Sequence, residues 1–228
     1  MRLGSVEGAP DFDSLARAYR WMEWASFGPL LGLCRSAFLP RLAHCRCALV
    51  LGDGDGRFTA RLLRENSIIR VHAVDASSLM LAALRRRAGQ DADRLTTACA
   101  DIRVWEAATH AQFDLIVTHF VLDCFTTQEV REIAMRVETA VTPGALWVVS
   151  EFAVPSGLFG RLVARPIVHG LYFAFGILTG LDLRDLPDYA AALRDGGFKR
   201  IENRSRLGGL LVSELWTTAD TFQAQHPG

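Results

Sequence analysis

Lys199 is the single lysine among 25 basic residues; the rest are arginines, balanced by 25 acids to a formal net charge of zero. The scarcity of lysine reads as a coding bias before it reads as function. The missing basic excess argues against nucleic acid as a partner, because neutralising a phosphate backbone needs a surplus or a stripe of positive charge. Long apolar runs are absent too. The longest stretch without a charged residue, Pro166 to Leu181, has 16 residues and contains Pro166, His169, Gly170, Gly176 and Gly180. A membrane-spanning helix needs ~20, so no stable span is expected. Met1 to Asp13 holds no apolar segment of a secretory signal. The five cysteines form an odd set without framework spacing and suit buried free thiols, so a cytoplasmic location is expected. His44-Cys45-Arg46-Cys47 has no second ligand pair, and a closed zinc site needs four ligands, so no metal is expected.

What is present is a large apolar share, 50% hydrophobic against 22% charged, which excludes a disordered chain. From about Ala48 onward, short apolar runs alternate with helix-like segments. Ala48–Leu51, Ile68–Val74, Leu95–Ala100, Phe113–Thr118 and Ala145–Phe152 read as strands. Phe58–Leu63, Ser78–Arg87 (capped by Ser77 or Ser78), Gln128–Ala140 and Pro187–Arg194 read as helices. Pro143-Gly144 reads as the turn before the fifth strand. Phe198–Ser205 and Leu210–Thr217 close the sheet around a Gly208-Gly209 turn. This alternation predicts an α/β fold, a Rossmann-like, mostly parallel seven-stranded sheet flanked by helices. N-terminal helices, broken at Gly28-Pro29, precede it, and Leu158–Leu181 adds an apolar, helix-like insertion. A single domain is expected: a cap over 1–45, a core over 46–152, an insertion over 153–195 and closing strands over 196–228.

Leu51-Gly52-Asp53-Gly54-Asp55-Gly56 falls where the first strand turns into the first helix, a place where open α/β sheets bind ligands. The loop lacks the Lys-Ser/Thr ending of a phosphate loop, and Arg57 stands where a dinucleotide fingerprint has its third glycine. Asp53 and Asp55 would repel a pyrophosphate and suit a positively charged ligand without phosphate, a description met by S-adenosyl-L-methionine (SAM). Asp75 ends the second strand 21 residues after Gly54 and can accept ribose hydroxyls. Ala76 and Met80 follow, with Met80 able to pack on an adenine. Asp101-Ile102, after the third strand, can read the adenine amino group and cover its ring. A cap, a core or a loop role is the bland reading of each residue taken alone; their order at three successive strand ends is what counts.

The series Leu51–Gly56, Val74-Asp75-Ala76-Ser77, Ala100-Asp101, Phe113–Ile116 and Gly144–Trp147 resembles the motif series of class I SAM-dependent methyltransferases. Phe12-Asp13…Ala16…Tyr19 and Ser150-Glu151-Phe152 add a weaker likeness to the ubiquinone/menaquinone-biosynthesis-type methyltransferases and their small-molecule relatives. The resemblance implies SAM as cofactor, S-adenosyl-L-homocysteine as product, a cofactor site that includes Gly52, Asp53, Gly54, Asp75 and Thr118, and Tyr19 closing over the methionine end. One departure is Val50, which stands where the family often has an acid; Asp53 is the candidate to replace it on the ammonium group.

Methyl transfer needs alignment, exclusion of water and sometimes a base. His119 and Asp123, after the fourth strand, are the candidate catalytic residues, with Asp123 orienting His119 or acting itself. Strand-end and cap roles are the alternative. Tyr19, His169, Tyr172 and Phe175 are the candidate substrate contacts, since the apolar insertion reads either as a lid over a small apolar or aromatic acceptor or as a homodimer interface. The competing function is a SAM-binding or partner-binding module without catalysis.

Overall fold

A computed structural model describes residues 29–108, 112–155, 157–158, 160–166, 170 and 186–218. Seven strands, β1 (Cys47–Leu51), β2 (Arg70–Asp75), β3 (Leu95–Cys99), β4 (Phe113–His119), β5 (Val141–Phe152), β6 (Phe198–Arg206) and β7 (Leu211–Thr218), form one sheet in the order β3-β2-β1-β4-β5-β7-β6. Strands β1 to β5 pair in parallel, and β7 enters antiparallel between β5 and β6. The strand order switches direction between β1 and β4, so a crevice opens at their carboxyl ends.

Helices α1 (Pro29–Arg35), α2 (Arg57–Glu65), α3 (Ser78–Ala88), α4 (Thr127–Glu138) and α5 (Tyr189–Asp195) accompany the sheet. Phe58 and Leu62 of α2 and Leu84 of α3 pack on Val50, Val71 and Val117 on one face. Val130, Ile133 and Val137 of α4 and Leu193 of α5 pack on Leu49, Ile116, Trp147 and Trp216 on the other. Covered on both faces, Ala48–Leu51 is at most 1% exposed, which is why β1 reads as a continuous apolar run rather than an alternating one.

Local chemistry sets the element ends. Ser77, not Ser78, caps α3, its Oγ accepting the Met80 N–H at 3.3 Å. At α4, Thr126 and Glu129 exchange hydrogen bonds in a capping box; such a cap contributes about 1 kcal/mol. Strand β2 begins at Arg70 rather than Ile68. The Asn66 side chain captures the Ile68 and Ile69 N–H groups and donates to the Leu42 and Cys45 carbonyls, holding that stretch in a turn.

Pro143-Gly144 lies inside β5, not before it. The pairing jumps from Phe113↔Val141 to Leu115↔Leu146, so the extra β5 residues bulge, and Gly144 takes a φ of 75°. The described start of the apolar insertion, Gly160–Ala164, is a π-helical turn. Most of the insertion and the helices expected within Phe12–Phe27 lie outside the described residues. Among the described residues, no helix is long and apolar enough to cross a membrane.

Candidate functional site

The loop after β1 carries positive φ at Gly52, Gly54 and Gly56, 68°, 59° and 75°, a conformation only glycine adopts without strain. The three have different surroundings. A Cβ on Gly52 would lie 2.5 Å from Val121 Cγ2, and one on Gly56 would lie 2.2 Å from Leu84 Cδ1. These two let the loop close against the β4 end and against α3. A Cβ on Gly54 would meet nothing within 4 Å, so Gly54 faces the open crevice.

The two loop acids also separate. Asp55 Oδ2 binds Arg57 and Arg87 at 3.0 and 2.9 Å, so its charge is neutralised and does not address a ligand. Asp53 Oδ2 accepts the Thr59 N–H at 2.9 Å and so holds the first turn of α2. Its Oδ1 is buried without a partner. Burial pushes the Asp53 carboxyl up to about 6, with Thr59 and the Arg35 charge pulling the other way. Val50 is 1% exposed within β1 and belongs to the core.

Asp75 stands at the end of β2, across from the loop. Its Oδ1 accepts the Ser77 N–H at 2.8 Å, and the Gly54 backbone also reaches the carboxylate. Burial raises Asp75 to about 6 as well. Ala76 and Met80 follow, both partly exposed. Asp101 is gripped by its neighbour Arg103, whose Nη2 lies 2.6 Å from Oδ2; those hydrogen bonds hold its pKa below the usual carboxylate value. An adenine amino group would have to share that carboxylate. Ile102 is 7% exposed and packs with Leu49, Leu51 and Val74 in the core, so its side chain offers little surface to a ring.

The β4 end distributes its side chains to both faces. Thr118 is fully buried, and its Oγ1 accepts the Trp147 indole N–H at 3.0 Å. His119 points the other way, edge-on to Phe58 with ring centroids 4.5 Å apart. It is 3% exposed, and neither ring nitrogen has a hydrogen-bond partner. Burial, with the Arg35 charge adding, drives its pKa well below the ordinary histidine value, so the ring is neutral. Phe120, next in the chain, adopts a φ of 54°, a strained value for a bulky residue that tends to mark functional sites.

Asp123 is buried in the turn Leu122–Cys124. It lies beside Glu151, at the β5 end, whose Oε1 accepts the N–H groups of Val121 and Leu122 at 3.1 and 2.9 Å. Glu151 Oε2 is buried without a partner. Burial, reinforced by the charge of Asp123, raises its pKa well above the usual carboxylate value. Glu214, also buried, differs because Arg200 and the Trp216 indole satisfy it at 2.6 and 3.0 Å. His119 pairs across the sheet with Ser150, and strand alternation sends Glu151 to the opposite face. His119 and Asp123 are therefore not brought together, and Asp123 does not orient the imidazole. Asp123 faces Glu151 instead.

Tyr19, His169, Tyr172 and Phe175 lie outside the described residues. Among the described residues, no three His, Cys, Asp or Glu side chains gather as metal ligands would. Sequence reasoning did not place Glu151 beside Asp123; an acid closing the apolar run of β5 was the visible signal for it.

Residues 48–144 match the family model of a methyltransferase domain. No curated protein sequence matches the chain. The fold is shared with several solved structures. One is an O-methyltransferase family protein from Burkholderia thailandensis, at TM-score 0.67 and 18% identity, covering 90% of this chain and 60% of that one. A second is an O-methyltransferase family 2 protein from Planctomyces limnophilus DSM 3776 in complex with apigenin, at 0.65 and 17%, covering 91% and 61%. A third is the N-methyltransferase NodS from Bradyrhizobium japonicum WM9 in complex with S-adenosyl-L-homocysteine, at 0.56 and 16%, covering 85% and 88%. The chain thus spans about 60% of the length of the first two.

Proposed function

We propose that this chain is a class I SAM-dependent methyltransferase, with SAM as cofactor and S-adenosyl-L-homocysteine as product, and that it methylates a small apolar or aromatic acceptor without a metal; the methyltransferase-domain match over residues 48–144 supports the reading. The observation that carries the reading is Asp75, a half-buried carboxylate set against Gly54, whose Cα faces open space. The residues present fit the cofactor. Gly54 leaves room for close backbone approach, Asp75 suits a ribose diol, Asp53 keeps an unused buried oxygen, and Met80 and Ala76 flank the next position.

When bound, SAM supplies a methyl group made electrophilic by its sulfonium. The chain's own part is to align the acceptor, exclude water and accept the proton that a hydroxyl or amine acceptor loses. In this reading Asp123 accepts that proton. Glu151 clamps the backbone turn that presents Asp123 by accepting the Val121 and Leu122 N–H groups. The apolar insertion and the Phe120–Phe152 ring pair, 5.1 Å apart, support an apolar acceptor. The apigenin bound by the Planctomyces protein is an aromatic small molecule of that kind. Val50 in place of an acid is what favours the alternative, a binding module without turnover.

A screen of aromatic, thiol and amine acceptors, read as release of S-adenosyl-L-homocysteine, tests the proposal. Turnover of at least one acceptor, undiminished by chelator, is expected. Asp123→Asn should lower kcat at least about tenfold while leaving SAM affinity nearly unchanged. SAM binding with no turnover of any acceptor would favour the binding module, and full activity in Asp123→Asn would remove the proposed base.

A further inference from the structure

The end of the sheet opposite the crevice has a cavity of its own. Strand β7 runs against β5, so Thr217 pairs with Leu146 in the amino half of β5 and with Lys199 at the start of β6. The crevice and Glu151 lie at the other end, where Glu151 pairs with Val212. At the Lys199 end a solvent-open cavity of about 450 Å³ is lined by Arg194, Gly197, Phe198, Lys199, Arg200 and Trp216. That volume is within the range of small-molecule sites. Three of the six lining residues are cations, and none is an acid.

The cations are not equivalent. Arg200 Nη1 donates to the buried Glu214 at 2.6 Å, and its guanidinium carbon lies 5.8 Å from the centroid of the Trp216 ring. The Arg200 side chain is still 43% exposed, against 3% for Glu214. Its fork is therefore fixed at one side and open to the cavity at the other. Among the described residues, neither Arg194 nor Lys199 is paired with a carboxylate. The neighbouring acid Asp195 is taken by Arg131 at 2.8 Å. Glu138 stands at the rim, its Cγ 3.7 Å from where a Cβ on Gly197 would lie, and it is exposed to solvent.

With Glu214 offsetting Arg200, the lining keeps two uncompensated positive charges. A phosphate monoester carries about 1.5 to 2 negative charges near pH 7 and presents several acceptor oxygens, which an arginine fork binds well. A monocarboxylate would leave one cation unmatched. Protection of an open sheet edge accounts for cations on β6, the last strand. It does not account for Arg194, which comes from α5, or for the hollow between them. The hollow is also larger than a phosphate group, so the ligand has an organic part. We propose that this cavity binds a small molecule through a phosphate monoester, with Arg194 and Lys199 matching its charge and the open side of the Arg200 fork holding its oxygens. The site is separate from the SAM crevice, and the inference does not rest on the SAM reading.

The single lysine makes the test direct. Reductive methylation with carbon-13 formaldehyde labels Lys199, besides the amino terminus, and keeps its charge. Phenyl phosphate should shift the Lys199 methyl signal saturably in nuclear magnetic resonance spectra. It should bind at least about fivefold tighter than phenyl sulfate, a monoanion of similar shape. Saturating S-adenosyl-L-homocysteine should not displace it. Arg194→Gln, at an exposed position without an ion pair, should weaken phenyl phosphate about tenfold while leaving circular dichroism native-like, a loss in the range of one charge-assisted hydrogen bond. Lys199→Gln should do the same by calorimetry. Arg200 is left in place, because its removal would strand the buried Glu214 charge. A linear shift without saturation, equal affinity for phenyl sulfate, displacement by S-adenosyl-L-homocysteine, or unchanged affinity in folded Arg194→Gln would overturn the site. Sedimentation with phosphatidylcholine vesicles only when they contain phosphatidic acid, lost in Arg194→Gln, would assign the phosphate to a lipid headgroup and overturn the small-molecule ligand.

Discussion

At the scale of single residues, the most telling property is that burial raises both Asp53 and Asp75 to about 6 in the ligand-free protein. An unfolded aspartate titrates near ~4, so the folded state holds these protons more tightly. The stability linked to them is complete below about pH 4 and is lost as the pH rises through about 6. Ligand binding works in the opposite sense, because hydroxyl and ammonium donors favour the charged carboxylates. The affinity for S-adenosyl-L-homocysteine should therefore climb with pH and level off above about 6. Below that, each proton that must leave costs on the order of tenfold per pH unit. Calorimetry from pH 5 to 8 checks this, with Asp75→Asn expected to flatten part of the slope. An affinity that does not change across the range would mean that neither carboxylate meets the ligand in its charged form.

At the scale of elements, the glycine loop divides its work in a way that substitutions can separate. Gly54→Val places a side chain into open space. The positive φ adds strain of about 1 kcal/mol or more, but the fold has room for the group. Far-ultraviolet circular dichroism should stay native-like while S-adenosyl-L-homocysteine binding disappears. Gly56→Ala should do more damage to folding, because its Cβ would meet the backbone and side chain of Leu84 in α3. A loss of about 2–4 kcal/mol, seen as a lower denaturation midpoint, is expected from the clash and the strained φ together. Normal binding by Gly54→Val would show that the loop does not cradle the ligand.

At the scale of the whole molecule, the strands were legible in the sequence wherever helices cover both faces of the sheet. Ala48–Leu51 and Leu115–Val117 are apolar because helices cover both faces of the sheet there. Boundaries were less legible where one side chain overrides the backbone preference: Asn66 pulls Ile68 out of β2, and Gly144 lets β5 start before Pro143 and bulge. The residues proposed for the cofactor were readable because they sit within a few positions of strand ends in chain order. The acceptor half was not. Glu151 meets Asp123 only through the parallel register of β4 and β5 and the turn that follows β4. Thr118 and His119 are chain neighbours, yet the pleat sends them to opposite faces, a separation that a list of strand-end residues does not show.

The central claim is that the crevice at the ends of β1, β2 and β4 binds SAM through Asp75 and the glycine loop. Titrating S-adenosyl-L-homocysteine into the unmutated chain and into Asp75→Ala at pH 7.5, by calorimetry, tests it most directly. The account predicts one ligand per chain for the former. It predicts a loss of roughly 2–3 kcal/mol for the latter, the value of two hydrogen bonds to a charged carboxylate, with the melting temperature of the variant kept or raised by removal of a half-buried acid. No heat of binding to the unmutated chain, or equal affinity for the folded Asp75→Ala protein, would contradict it.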